Sequence, residues 1–355
     1  MEALQNLGFW GTLLVTVVLS ALPLVFVLLY AYGTLYLEMK VAAHVQDRLA
    51  YMRTGWHGVL QPLADFIKLF QKEDIVSVAA DKKLFLMAPY IVFMGTYAAY
   101  AAIPFSSIFI GANIDLGAFF IIGISSLVVV GILMAGWSSN NKWSIFGAVR
   151  SAAQLISYEI PTALAVLIAV MITGSLNLQE VTQFQAGGIQ NWIIFGGPLP
   201  LLQKILITPF TIITFLVLFV ASLAECNRTP FDLPEAESEL VQGFFTEYSG
   251  MRWAMFYVAE YANMFLVSCV ATTLFLGGWH VPYIEHLGLS PTVLALVQVA
   301  GFFVKVVALL VFYIVIRWTI PRFRYDQLMN LGWKVMLPLT IANTVVTGLV
   351  LLLLA

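Results

Sequence analysis

Residues 224–263 concentrate the ionisable chemistry of this chain. Seven of its 19 acidic residues stand there: Glu225, Asp232, Glu235, Glu237, Glu239, Glu247 and Glu260, accompanied by Arg228 and Arg252. Apolar runs lie on both sides. Carboxylates gathered in this way can take up and release protons, because burial and like-charged neighbours both raise their proton affinity. Locally, Asp232, Pro234 and Glu235 read as a helix start, with Asp as the cap, Pro in the first turn and Glu reaching back to the cap. On such a helix Glu235 and Glu239 fall four apart and share a face, which disfavours ionising both. A solvated acidic helix start is the plainer reading. It leaves Glu260 unexplained, since that residue lies within an apolar run.

Two further groups fall inside apolar runs. Glu159 lies eight residues beyond Ser151, about 12 Å along a helix. Pro161 follows it and should bend that helix. Lys305 lies about twelve residues before Arg317, and Glu260 nine beyond Met251, which puts them at similar depth. A lone intramembrane cation is costly, so Lys305 is expected to be paired or deprotonated, with Glu260 and Glu159 as the available partners. Other chemistries have no footing. There is no G-x-G-x-x-G after a strand and no Walker motif. His44, His57, His280 and His286 are scattered, and Cys226 and Cys269 lack metal-ligand spacing. Buried thiols, no metal and no redox centre in this chain are the expectations.

The elements that must position these groups are helices in a membrane. The 355 residues are 61% hydrophobic and only 10% charged, which no soluble domain requires. Eight runs are long enough to cross about 30 Å of hydrocarbon. They are roughly 10–37, 83–104, 116–137, 151–174, 204–225, 251–278, 291–317 and 333–355. The fold class is therefore all-α and polytopic, a single membrane domain over 1–355. Of 17 Lys and Arg, 15 lie in or beside the loops after the first, third, fifth and seventh spans. Those loops are accordingly cytoplasmic and both termini outside. Residues 1–8 hold Glu2 and no cation, and the run behind them is too long for a cleavable signal.

The first cytoplasmic loop contains an amphipathic stretch at about 58–72. Val59, Leu60, Leu63, Phe66, Ile67 and Phe70 take one face, Asp65, Lys68 and Lys72 the other. It reads as a helix lying in the membrane interface, packed on a partner subunit, or both. The acidic loop spans about 226–250. The outer segment 175–203 carries no motif and reads as a surface cover. The last loop is a cationic juxtamembrane turn, whose plain role is to fix topology or meet anionic lipid.

The spacing in three of these stretches resembles the NADH dehydrogenase subunit 1 family of respiratory complex I, the proton-pumping NADH:quinone oxidoreductase. The first signature is carried by Ala224-Glu225, Asn227-Arg228, Pro230 to Leu233, Glu235, Glu237, Glu239 to Val241, Gly243, Thr246 to Ser249 and Ala259 to Tyr261. The second is at Leu60 to Pro62, Ala64-Asp65, Lys68 and Lys72 to Asp74. The third is at Arg317, Thr319, Pro321-Arg322, Arg324 to Met329 and Leu331 to Lys334. Ala153-Gln154 with Ser157 to Glu159 adds a shorter match. The sequence departs from the pattern at Met39, where the family has a basic residue, and at Ala50-Tyr51, where it has Gly-Pro.

The resemblance implies a chain that helps to build a quinone chamber, in a bacterial inner membrane. Arg48, Arg53, Asp65, Lys68, Arg228, Phe231 and Asp232 become candidates for lining that chamber. Glu159, Glu225, Glu235, Glu237, Glu239, Glu247, Glu260 and Lys305 become candidates for coupling quinone reduction to proton movement. Quinone would be the substrate. NADH, FMN and iron–sulfur clusters would sit on partner subunits of the complex. Its soluble and membrane-embedded members would be the partners, with membrane lipid around them and no nucleic acid. Two other readings stay open: the membrane anchor of an energy-converting hydrogenase, and a secondary transporter with a polar midplane site.

Overall fold

The computed structural model describes residues 8–284 and 290–353. Glu2 and His286 lie outside the described residues. Among those described, eight helices are long and apolar enough to cross a membrane, so the chain is an all-α polytopic membrane protein. Its helices are α1 (Gly8–Val45), α2 (Gln61–Gln71), α3 (Lys82–Ala99), α4 (Gly117–Ser138), α5 (Lys142–Thr173), α6 (Leu178–Phe184), α7 (Leu201–Glu225), α8 (Glu237–Leu240), α9 (Gly250–Phe275), α10 (Pro291–Thr319), α11 (Tyr325–Asn330) and α12 (Leu337–Leu353). A π-helical segment, Leu331–Met336, joins α11 to α12. Met1–Gln71 and Lys72–Ala355 each form a compact unit.

Several boundaries fall where capping chemistry puts them. Asp81 accepts from the backbone N–H of Lys83 and Leu84 and starts α3. Asn141 accepts from Trp143 N and starts α5, so residues 142–150, which fall between the spans expected at 116–137 and 151–174, are helical. Gly174 ends α5 in the left-handed region, at φ 75. The first helix runs on to Val45 through the charged residues Glu38 and Lys40, which the hydropathy boundary at 37 excludes.

In the larger unit α3 packs on α4, α4 on α5, α5 on α7, and α9 on α3. One apolar cluster joins this ring to the acidic loop. Phe244, Phe245 and Tyr248 of the loop pack with Phe85, Leu155 and Phe256. Tyr248 stacks on Phe85 at 4.0 Å between centroids and donates to Phe85 O at 3.1 Å. The loop between α7 and α9 is thus folded inward instead of lying in solvent. The backbones touch where glycine permits. Gly243 has φ +56 and no room for a Cβ, which would fall 1.9 Å from Pro234 O, and a Cβ on Gly147 would fall 2.6 Å from Gly243 Cα.

Lys305 is not paired with Glu260 or Glu159. Its ammonium donates to Leu276 O at 2.7 Å, Gly278 O at 3.0 Å and His280 O at 2.8 Å, with the Trp192 ring at 4.5 Å. The reason is the end of α9. Phe275 is 15 residues past Glu260, about 22 Å along the helix, and the carbonyls there lack helical donors. A cation at a helix C-terminus satisfies them and meets the negative end of the dipole. The same junction holds the 175–203 segment in place. Gln185 Nε2 donates to Thr273 O at 2.9 Å, while its Oε1 accepts from Gly277 N at 3.0 Å and Ile193 N at 3.1 Å. That segment is fastened by specific side chains, although its sequence carries no motif.

Lys305→Met should leave three carbonyls without a donor, at about 1–3 kcal/mol each when buried. The expected result is a lower melting temperature of the purified protein and faster proteolysis within 175–203. Adding Glu260→Gln or Glu159→Gln should restore nothing; recovery in either double mutant would reinstate a charge pair.

Candidate functional site

The site begins where α7 ends. Glu225 is its last residue, and the chain then turns through Asn227 at φ 48. Gln154 of α5 fixes this turn: its Nε2 lies 2.9 Å from Ala224 O, 3.2 Å from Asn227 Oδ1 and 2.9 Å from Phe231 O. Asn263 of α9 donates from Nδ2 to Glu225 O at 3.2 Å. A buried helix end whose carbonyls are met by two amide side chains is held in one position.

Past this turn the loop enters the interior. The expected helix start at Asp232 and Glu235 does not form; only a four-residue helix, α8, follows, with Ala236 before it. Glu235 instead points inward and shares a hydrogen bond with Glu260. Two carboxyls can hydrogen bond only with a proton between them. Burial is the largest cause that pushes Glu235 well above the usual carboxylate range, followed by the charges of Glu260 and Asp232. Arg228 opposes this shift. Its guanidinium is only 4% exposed, stands 4.0 Å from the Glu260 carboxylate and stacks on the Tyr261 ring at 4.4 Å.

Beyond Glu260 the polar groups continue through three small cavities in the ring of helices. One of about 30 Å³ is lined by Thr96, Asn227, Glu260, Glu225 and Asn263. Another of about 30 Å³ joins Glu225 and Asn263 to Ser125 and Glu159. A third of about 40 Å³ adds Thr162 and Ser222. A water needs roughly 10–15 Å³ of such space and two to four polar partners, so each cavity has room for two or three. The Thr162 hydroxyl is 2.7 Å from Glu225 Oε1 and 2.9 Å from Tyr158 O. It can donate to an ionised Glu225. It can also accept from a protonated one while donating to Tyr158 O, so it serves both states.

The remaining acidic residues have different surroundings. Asp232 pairs with Arg322 at 2.8 Å, and Phe323 N donates to Pro230 O at 3.2 Å. The first and third sequence signatures thus meet, and Arg322 has a partner within the chain. Glu239 is exposed and pairs with Arg150 at 2.6 Å. Glu247 accepts from Asn141 Nδ2 at 2.7 Å. The side chain of Glu237 lies outside what is described. Glu239 and Glu235 do not share a face: one is at the surface, the other enclosed. Phe231 is enclosed within this chain. It is 2% exposed and packs between Tyr158 and Phe323 at 5.4 and 5.6 Å.

In the smaller unit, α2 carries the amphipathic pattern over Gln61–Gln71, with Leu60, Leu63, Ile67 and Phe70 exposed. Asp65 accepts from Gln61 at 3.2 Å, Arg48 donates to Gln46 Oε1 at 2.6 Å, and Arg53 and Lys68 are exposed. At the departure from the family pattern, Lys40 Nζ donates to Tyr51 O at 3.0 Å and lies 5.4 and 5.6 Å from the Tyr36 and Tyr51 rings. Burial, then the charge of Asp65, pushes the Tyr51 phenol up to about 12.

Thr162, Asn263 and Gln154 join the site although sequence reasoning does not single them out. A signal exists for the first two, each three residues beyond a candidate carboxylate and so on its helical face. Gln154 has only its place in the short match ahead of Glu159.

Residues 17–348 match the NADH dehydrogenase family. The chain is 47% identical over 355 residues to an NADH-quinone oxidoreductase subunit of Chlorobaculum parvum, covering 98% of this chain and 96% of that protein. It is 47% identical over 347 residues to an NADH-quinone oxidoreductase subunit of Geobacter sulfurreducens, covering 92% of each. A 43% match to the corresponding protein of Anaeromyxobacter dehalogenans covers 88% of this chain and 76% of that one. On this length and identity, and with the first and third signatures folded together at the site, the chain belongs to the NADH dehydrogenase family of NADH-quinone oxidoreductase subunits.

Proposed function

We propose that this chain is the membrane subunit of a proton-pumping NADH:quinone oxidoreductase that couples quinone reduction to proton movement. The observation that carries this reading is the row Glu235, Glu260, Glu225, Glu159, joined by a carboxyl–carboxyl hydrogen bond and then by cavities that share Glu225. The relatives' names favour a quinone oxidoreductase over a hydrogenase anchor or a transporter.

In this reading electrons reach the quinone from partner subunits that carry NADH, FMN and iron–sulfur chemistry. Reducing a quinone head beside the acidic loop creates negative charge, and protons are drawn toward it. The Glu235–Glu260 pair holds one proton and can release or exchange it, with Arg228 favouring the ionised form. Glu225 and Glu159 pass the change deeper, Thr162 serving both states of Glu225. Glu237, Glu239 and Glu247 tune the loop's charge without joining the row, since Glu239 and Glu247 already have partners. Lys305 fastens the far end of α9 and moves no proton. Arg48, Arg53, Asp65 and Lys68 are assigned to quinone contact, and Asp232 with Arg228 to the head of the row. Phe231 supports Asp232 from beneath. The exposed apolar face of α2 fits membrane lipid or another subunit.

In this reading the membrane is the bacterial inner membrane, and the 15-of-17 cation bias favours both termini outside. Single cysteines at Asn140 and Gln327 should label only from the cytoplasmic side, and those at Ser107 and Gln190 only from outside. All four positions are exposed, and native Cys226 and Cys269 are buried. Labelling at Asn140 from outside would sink this topology.

Glu260→Gln keeps size and loses ionisation. In assembled complex, NADH:quinone turnover with proton uptake should fall by about 10²-fold or more, the low end for a lost proton-transfer group. Glu260→Asp should retain part of it. Normal turnover and pumping in Glu260→Gln would falsify the relay.

Glu235 also sets a pH dependence. Its folded-state proton affinity is raised, so its contribution to stability is complete below the unfolded value of about 4.3 and is lost as pH rises through the folded value. Glu235→Gln has no such loss. The melting temperature of Glu235→Gln relative to the parent should therefore rise as pH goes from about 5 to 8; a gap that stays flat contradicts the shared-proton pair.

A further inference from the structure

Asn263 is the one polar group besides Glu225 that borders all three cavities. It lies three residues beyond Glu260 on α9, so both side chains leave the helix on one face. Its amide orientation is fixed. Glu225 O can only accept, so Nδ2 must face it, at 3.2 Å, and Oδ1 must point away. No hydrogen bond to that oxygen is found among the described residues, and Asn263 borders the cavities on both sides.

We propose that Asn263 is a positioning residue for proton transfer: it holds, through Oδ1, the water that joins the Glu260 cavity to the Glu225–Glu159 cavities. The inference rests on the reading of the carboxylate row given above. The two compartments share Val128, Glu225 and Asn263, of which the last two are polar. Glu225 is the titrating group there, and on protonation it exchanges an acceptor site for an O–H donor, so the pattern it offers a bridging water changes with its charge. The neutral amide offers a constant one, because its oxygen accepts in every protonation state of its neighbours. Its Nδ2 bond to the end of α7 keeps that oxygen aimed at the junction. No bond to Asn263 is made or broken; a proton moves from carboxyl to water to carboxyl, and the amide only orients the water.

The plain alternative is a brace between α7 and α9. Two variants in the assembled complex separate the readings. Asn263→Leu fills similar space and removes the acceptor. NADH:quinone turnover should fall at least about tenfold, less than the full 10²–10⁴ of a lost proton-transfer group. The solvent deuterium isotope effect on turnover should grow, while NADH oxidation by ferricyanide, which bypasses quinone, stays at the parental level. Asn263→Asp places a titratable group at the junction. It should shift the pH optimum of turnover, whether or not the Leu variant assembles. A brace alone predicts a parental isotope effect and an unmoved pH profile in both, and that result overturns the proposal. Glu260→Gln is measured alongside. If it abolishes turnover while Asn263→Leu and Asn263→Asp behave as parent, only the role of Asn263 falls. If Glu260→Gln is itself normal, the whole carboxylate row falls with it.

Discussion

A carboxylate taken out of water must find a proton, a cation or hydrogen-bond donors. Glu235 and Glu260 lie together beside the guanidinium of Arg228, and burial with the neighbouring Glu260 charge raises the proton affinity of Glu235. Much of the surrounding structure follows from bringing them together. Glu235 comes from a loop and Glu260 from a membrane-crossing helix, so the loop has to fold inward. It does so on aromatic anchors, Phe244, Phe245 and Tyr248, packed into the helix core. The glycines at 147 and 243 let backbones approach where a Cβ would collide. Gln154 fixes the turn that starts the loop.

The acidic residues divide by environment more sharply than by sequence spacing. Those with cationic or amide partners near the surface, Asp232, Glu239 and Glu247, contribute local order. Exposed ion pairs of this kind are worth little in stability. Of those inside, Glu225 and Glu260 border small cavities, and Arg228 lies beside Glu260 and opposes the shift of Glu235. The two sets are interleaved along the chain, at 225, 232, 235, 239, 247 and 260. Which set a residue joins depends on the turn that presents it.

Lys305 and Lys40 illustrate how cations are accommodated without carboxylates. Lys305 is held by three carbonyls beyond the end of α9 and by the face of Trp192. Lys40 is held by the Tyr51 carbonyl between two tyrosine rings. Tyr51 stands where the family pattern has proline, and its ring and carbonyl both serve Lys40. The departure from the pattern is thereby built into the local structure.

The membrane class, the number of crossing helices and the family were all determined by the sequence alone. Hydropathy over about 20 residues decides whether a segment can cross hydrocarbon, and the long signatures have fixed spacing. The row of candidate carboxylates was also legible, because an acidic residue within an apolar run has few benign explanations. Only the tertiary structure decided who partners whom. Helical periodicity placed Glu235 and Glu239 on one face, yet the only helix described there begins at Glu237, so Glu235 turns inward while Glu239 meets Arg150. Depth along separate helices suggested Lys305 beside Glu260, yet the helix end captures it. Thr162 and Asn263 share helical faces with candidate carboxylates, but a neutral polar residue carries no charge signal that would single it out; they come to the fore through the cavities they border. Local chemistry is written along the chain. Hydrogen-bond partners, cavities and shared protons depend on distances between segments far apart in sequence, and packing alone sets those.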